Sequence, residues 1–357
     1  MNKILRNTLI VFLIFAGFTG CETDFDTTAP YKDITIVYGL LDSKDSMQYI
    51  KINKAFLAEN NVLTYAALED SNSYPYPLDV WIEEWSSGDS VKAIYFDTTS
   101  VYNKEPGQFY NPRQVIYKWN KPAQPFKIKY VVEGLNDTIG VEYYWLNDES
   151  DYRLKIRNPK NGKVISAETP LVQDFSITRP GFATFIRFVP DPATPKQFSW
   201  ESAENSGQYD YELRFNYREL NFGSNDTIDK HITLASQSVT ADPGTNEYSF
   251  FYWDYNFYSA CRSLIPYTDQ NREDQVKDRF TGTIELIVAA AETQFSLYRQ
   301  VYEPSTSIVQ EKPTYTNVDN GLGIFSSRAQ KSKAKKLHAE TVTDLKNTED
   351  NIYKFVY

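Results

Sequence analysis

Histidine, cysteine and methionine are almost missing from this 357-residue chain, with two of each. His231 sits in the alternating stretch "DKHITL" and His338 in a basic one, far from each other in sequence and from Cys21 and Cys261. A zinc centre needs several nitrogen or sulfur ligands, and a Cys-His or Ser-His relay needs a histidine beside its nucleophile, so neither assembles from this set. No glycine-rich phosphate loop and no nucleophile elbow occurs either. No metal and no cofactor is therefore expected. Basic surplus is lacking too: 37 Lys and Arg face 47 Asp and Glu, a net charge of −10. Nucleic acid, which calls for a basic footprint, is excluded as a partner on this count. Long apolar runs are absent as well. The longest, "LIVFLIFAGF" at 9–18, is half of the roughly 20 residues that span a bilayer.

That short run has a meaning of its own. Lys3 and Arg6 precede it, and Thr19-Gly20 follow it, the layout of a secretory signal. Gly20-Cys21 resembles the bacterial lipobox, with Phe18 where the usual motif has leucine. Residues 1–20 are thus expected to be a lipoprotein signal peptide, with Cys21 the acylated new N-terminus. Losing Lys3 and Arg6 takes the net charge from −10 to −12. Each buried methylene of an acyl chain contributes about 0.8 kcal/mol, and two chains suffice for stable attachment to a membrane. Glu22, Asp24 and Asp26 follow directly, similar to the acidic signal that sends Bacteroidota lipoproteins to the cell exterior; a plain solvated tether over 21–32 is the alternative. Cys261 is then left without a partner and reads as a buried, inert thiol.

What the chain has in quantity is aromatic: 27 Tyr, 22 Phe and 6 Trp. These types suit pleated, half-buried surfaces, and period-two alternation dominates the sequence. Strands are predicted at 34–41, 47–56, 78–85, 91–96, 113–119, 126–132, 138–145, 152–156 and 163–169, punctuated by turn residues. Most of the aromatics in them are assigned to core, with exposed stacking platforms as the rival reading. Further strands follow at 182–189, 197–201, 209–217, in "DKHITL" and "NEYSFFYW", and at 282–291. The expected fold is mainly β: two packed β-sandwich units resembling immunoglobulin or fibronectin type III domains, at 33–172 and 173–357, with a few short helices in the C-terminal half. Helical patterns mark 271–280 and 292–302. "SRAQKSKAKKLHAETVTDLKN" reads as a surface helix or a mobile tail.

Carboxylates are the remaining candidates for chemistry. Glu83 and Glu84 are adjacent, so a strand points them to opposite faces. Asp148, Glu149 and Asp151 crowd a turn and read as solvated loop charge, with calcium ligation the lesser option. The basic run Arg328, Lys331, Lys333, Lys335 and Lys336 contains no acid and reads as a solvated face, or as a contact for acidic lipopolysaccharide or a receptor. Six Asp-Ser/Thr triplets, at Thr27, Ser46, Ser90, Thr98, Thr138 and Thr227, resemble acceptors for O-glycosylation.

One stretch is distinctive, "PTYTNVDNGLGIFSS" at 313–327. Asn320-Gly321 and Gly323 permit backbone shapes with positive φ, and Leu322, Ile324 and Phe325 are expected to return to the core, which makes a turn and a closing strand. With the opening "CETDFD" and the strand "IVYGLL", the segment containing Asn317, Asn320, Gly321, Gly323 and Phe325 resembles an uncharacterised family of Bacteroidota lipoproteins. That resemblance implies a surface-exposed β-rich lipoprotein, often encoded beside a TonB-dependent outer-membrane transporter, and supplies no catalytic residues. The expected role is a non-enzymatic binding or accessory protein for such a transporter. An adhesin or structural surface protein, and a hydrolase using a carboxylate pair, are the alternatives.

Overall fold

The structure, a computed structural model, describes residues 33–56, 62–111, 113–133, 138–191, 193, 195–266, 276–303, 314–347 and 353–356. Cys21, Glu22, Asp24 and Asp26 lie outside the described residues, as do 271–275 of the segment expected to be helical. The chain is mainly β, as its alternation predicts: 53% of residues are in strands and 13% in helices, against roughly 20–25% strand in an average domain.

Nine strands build the first half: β1 (Thr35–Leu41), β2 (Tyr49–Lys54), β3 (Asp79–Ser86), β4 (Asp89–Val101), β5 (Gln114–Trp119), β6 (Lys127–Glu133), β7 (Thr138–Tyr144), β8 (Asp151–Arg157) and β9 (Val164–Pro170). Two short helices, α1 (Val62–Ala66) and α2 (Glu69–Asn72), come between β2 and β3 and were not expected. The second half holds β10 (Ile177–Arg179), β11 (Phe185–Ile186), β12 (Pro195–Glu201), β13 (Ser206–Asn221), β14 (Thr227–Thr240) and β15 (Glu247–Trp253). It continues with α3 (Asp254–Leu264), β16 (Val276–Glu292), α4 (Thr293–Tyr302), β17 (Gly321–Leu337), α5 (Ala339–Lys346) and β18 (Phe355–Val356). Helix α4 forms where its period predicts. Residues 276–280, expected to be helical, instead open β16, because buried Arg279 pairs there with Glu219 of β13 at 2.8 Å.

The largest departure concerns the C-terminal basic stretch. Only its end is helical, in α5; Gly321–Leu337 is one strand of 17 residues. Its first part runs parallel to β1 over 321–327, and its second runs antiparallel to β16 over 328–336. A single sheet therefore passes through the molecule in the order β14-β13-β16-β17-β1-β2-β5-β4-β3-β8-β9.

Two hydrophobic cores flank that sheet. The first gathers Val37, Ile50, Ile82, Trp119 and Leu154 from the first half, and Val318 and Phe325 return to it. The first-half strands curl until β9 reaches the entrance to β17. There Asp319 N donates to Ser166 O at 2.7 Å, and Ser327 Oγ donates to Pro170 O at 2.8 Å. The second core begins at Val172. A small sheet, β10-β12-β15, supplies Trp200, whose ring centroid lies 5.8 Å from Tyr209 and 5.5 Å from Tyr211 of β13. Helix α3 adds Phe257 and Cys261, both buried.

Strands β6 and β7 stand apart. They pair only with each other, from Lys127↔Tyr144 to Glu133↔Thr138, and join no larger sheet among the described residues.

Candidate functional site

A lone two-stranded hairpin is marginal in water, so what seats β6–β7 matters. Alternation gives it two unlike faces. Lys127, Lys129 and Val131 of β6 share one face with Glu142 and Tyr144 of β7; Phe126, Ile128 and Tyr130 share the other with Val141 and Tyr143. The charged face is the inner one. Tyr130 is 72% exposed, and Phe126, Ile128, Val141 and Tyr143 are exposed beside it. Ile128 faces Tyr143 and Tyr130 faces Val141 directly across the ladder, so these side chains make one contiguous apolar surface. The hairpin is thus amphipathic in the reverse of the usual sense, and the expectation that strand aromatics are core fails here.

Beneath it lies an ion network joining four distant segments. Lys44, from the β1–β2 loop, reaches Glu142 and Asp174, both at 2.9 Å. Lys331 of β17 reaches the same two carboxylates at 2.8 and 2.9 Å, and Lys129 reaches Asp174 at 3.0 Å. The fully buried Tyr144 donates its hydroxyl proton to Asp174 at 2.7 Å. Burial alone would raise the Asp174 carboxyl, but hydrogen bonds from Tyr144 and Lys44 and the charge of Lys331 outweigh it and hold Asp174 well below the usual carboxylate range. Glu142 is lowered in the same way, burial being overcome by Lys331 and Lys44. Burial and the neighbouring carboxylates push the Tyr144 phenol far up. Of the two facing ammonium groups, Lys331 is held above its ordinary value because its carboxylate partners outweigh burial, while burial and competition with Lys331 lower Lys44. Charge pairing on one face therefore fixes the hairpin and leaves its apolar face outward.

This arrangement relocates the basic run. Lys331, Lys333 and Lys335 lie on the inward face of β17 with Ala329 and Leu337, while Gln330, Ser332, Ala334 and Lys336 point out. Lys333 Nζ donates to Ile177 O at 2.9 Å, and Arg328 lies 3.6 Å from Asp45. The solvated face expected from sequence holds only for the even-numbered residues, because the balancing acids sit far away in the chain.

The candidates named from sequence fall into separate places. Glu83 accepts from the indole nitrogens of Trp81 and Trp85 at 3.0 and 3.3 Å, whereas Glu84 is buried and paired with Lys92 at 3.0 Å. Asp148 is buried, accepting from Asp174 N, while Glu149 and Asp151 are exposed, so the three do not converge. Ser46, Ser90, Thr98 and Thr227 are exposed. Cys261 is buried, and burial pushes its thiol up to about 12. No helix among the described residues is long and apolar enough to cross a membrane.

The segment 317–325 is a structural clasp. Asn317 Nδ2 donates to Phe325 O at 2.6 Å while its Oδ1 accepts from Phe325 N at 3.0 Å, standing in for a neighbouring strand. Asn320 takes φ +58° and bonds Val164 O at 3.2 Å; Gly321 packs with its Cα side against Thr35 O, and Gly323 takes φ +104° against Val37. Ile324 and Phe325 are buried, but Leu322 is exposed, contrary to expectation.

A recess lies on the outer side of β1 and β2. Tyr38, Lys51, Asn53, Lys104, Phe109 and Tyr110 help line a groove of about 390 Å³. Lys51 Nζ sits 6.0 Å from the Tyr38 ring centre and Lys104 Nζ 5.8 Å from that of Phe109. Burial, then repulsion from Lys104, lowers the Lys51 ammonium.

Sequence reasoning did not single out Lys44, Glu142, Tyr144 or Asp174, nor the groove. "FKIKYVV" and "VEYYW" do carry the signal that two faces differ; period two cannot say which one turns inward. In β1, apolar residues occur on both faces: Val37 and Leu41 are buried in the core, while Ile36 and the exposed Tyr38 face the groove. No family model matches the chain, and no curated protein matches it in sequence.

Proposed function

We propose that this chain is a non-enzymatic, lipid-anchored accessory protein on the outer face of the outer membrane, docking a membrane partner through the apolar face of β6–β7. The observation that carries this is the hairpin itself: five large apolar side chains outward, held there by ions beneath. Contiguous exposed apolar surface on a folded protein marks an interaction site. A TonB-dependent transporter is the partner we propose, supported by the resemblance of the "CETDFD", "IVYGLL" and "NVDNGLGIF" segments to surface lipoproteins encoded beside such transporters. The anchor at Cys21, with the acidic residues Glu22, Asp24 and Asp26, supports the placement. We read the two cores as two β-sandwich units, the second like fibronectin type III domains, supported by the Trp200 layer between β10-β12-β15 and β13.

The test is a mild-detergent pull-down of the full-length protein from its native membrane, with surface proteolysis on intact cells. A β-barrel transporter recovered in stoichiometric amount, and lost with Ile128→Ser/Tyr130→Ser, supports the reading. Recovery alone, or protection of the wild-type chain from protease, overturns it. Binding to host matrix instead moves the assignment to an adhesin.

The groove favours a second reading, capture of a small ligand. Its volume falls within the 300–1,000 Å³ of ligand sites, and its two repelling lysines beside aromatic faces suit an anionic ring such as an acidic sugar. Calorimetry with uronic-acid oligosaccharides would show binding that Tyr38→Ala and Lys51→Gln each abolish; no heat with any of them removes this reading.

A further inference from the structure

The inner face of the first-half sheet does not stay apolar to its end. In β4 the side chains on that face run Phe96, Thr98 and Ser100; in β5 the facing series runs Trp119, Tyr117 and Val115, with Arg113 just beyond the strand. Phe96, Tyr117 and Trp119 belong to the core, whereas Thr98 and Arg113 are exposed. Where the packing stops, a recess of about 370 Å³ opens, bounded by α2 and by the segment 73–77. It lies on the other face of β2 from the groove, since Ile52 lines the recess while Lys51 and Asn53 line the groove. Its volume suits a ligand site, and the mouth of a curled sheet is a common place for one. The wall is stiff. Pro75 and Pro77 fix their own φ, Tyr117 Oη accepts from Leu78 N at 2.9 Å, and Tyr74 Oη donates to Asp33 at 2.9 Å. Such a wall loses little freedom when a ligand arrives.

Its chemistry narrows the ligand. The half-buried rings of Tyr74 and Tyr76, 6.0 Å apart, supply apolar surface. Arg113 Nη1 reaches Glu69 Oε1 at 2.8 Å, and Arg113 Nε donates to Ser100 Oγ at 3.3 Å. Two carboxylates, Glu69 and Asp70, stand against the one guanidinium, and no lysine is in the lining, so an anion is disfavoured. Lys160 Nζ stands 5.7 Å from the Tyr76 ring centre, which disfavours a second cation there. A guanidinium only donates, a carboxylate only accepts and a hydroxyl does both. A neutral ring with C–H groups on its face and hydroxyls around its edge matches all of these at once, and that is the shape of a sugar.

We propose that this recess binds a neutral sugar ring, its face against Tyr76 and its hydroxyls shared among Arg113, Glu69 and Ser100. The site is separate from both surfaces described above: it has no lining residue in common with the groove or with the hairpin.

The test is saturation-transfer NMR on the full-length protein, held in a detergent without sugar headgroups, with the methyl glycosides of glucose, galactose and mannose and with glucuronate. The expected result is saturable binding of at least one methyl glycoside. Arg113→Gln and Tyr76→Ala should each weaken it by about tenfold or more. Tyr95→Ser, an exposed ring on the outward face of β4, should leave it unchanged. Near-UV circular dichroism of each variant checks that the fold is intact, and the exposed Arg113 keeps the test decisive should Tyr76→Ala unfold. Arg113-dependent binding of glucuronate tighter than that of methyl glucoside overturns the assignment to a neutral ligand. Absence of saturable binding by every methyl glycoside, or equal binding by wild type and Arg113→Gln, overturns the proposal as a whole.

Discussion

At the scale of single residues, the positions that matter most are those where one atom more would not fit. A Cβ on Gly323 would lie 2.0 Å from Val37 O, and its φ of +104° disfavours any side chain. Strain and overpacking each cost 1–3 kcal/mol, so Gly323→Ala is expected to lower stability by about 3 kcal/mol or more in urea unfolding. Asp42 illustrates a different sensitivity. Burial raises its carboxyl to about 6, so the folded protein holds this proton more tightly than the unfolded chain does. Its contribution to stability is therefore present below the ordinary carboxylate range near 4 and is lost as pH rises through 6. Asp174 and Glu142 have the opposite sign: lowered in the folded state, they contribute above that range and lose their contribution as pH falls below it. Thermal midpoints of Asp42→Asn should accordingly exceed wild type at pH 8, by up to about 2–3 kcal/mol in stability at 1.4 kcal/mol per pKa unit, and converge on it at pH 4. A gain that persisted at pH 4 would sink the assignment.

Among elements, β17 is where sequence and structure diverge most. Most of the nine N-terminal strands were readable because apolar and polar residues alternate along them, and β1 because its apolar run is short and bounded by turn residues. In β17 the inward positions after Phe325 are Ser327, Ala329, Lys331, Lys333 and Lys335, so alternation offers no apolar signal. The acids that neutralise Lys331 stand at 142 and 174, and no local window contains them. The groove was hidden for a related reason, since β1, β2 and the stretch around Lys104–Tyr110 look like core and loop when read singly. Inward and outward lysines of one strand should respond unequally. Lys331→Met removes one of the cations on Glu142 and Asp174 while Lys44 and Lys129 remain, a loss of about 2 kcal/mol; Lys336→Met, exposed, should stay within about 0.5 kcal/mol. Equal effects in chemical denaturation would contradict the strand orientation.

For the whole molecule, the continuous sheet and the ion network tie two cores together. Trp119 is buried in the first core and Trp200 in the second. Urea transitions followed through single-tryptophan variants of each core should coincide, as they do for one cooperative unit. Cys261 supplies an independent clock in the second core. With its thiol pushed up to about 12 by burial, it should resist a thiol reagent in native buffer and react only as fast as global opening. Reaction of Cys261 well before the Trp119 signal changes would reveal two separately opening halves.

The position of β17 also has a consequence for how the chain is made. A polypeptide emerges from the ribosome, and from any export channel, beginning with its N-terminus. Both β1 and β16 must wait for their shared neighbour until residues 321–337 have emerged. Until then each half carries an unzipped sheet border, and the clasp of Asn317 on Phe325 does not exist. Nearly the whole chain can therefore be threaded before its sheet is able to lock, with the final keystone delivered almost last.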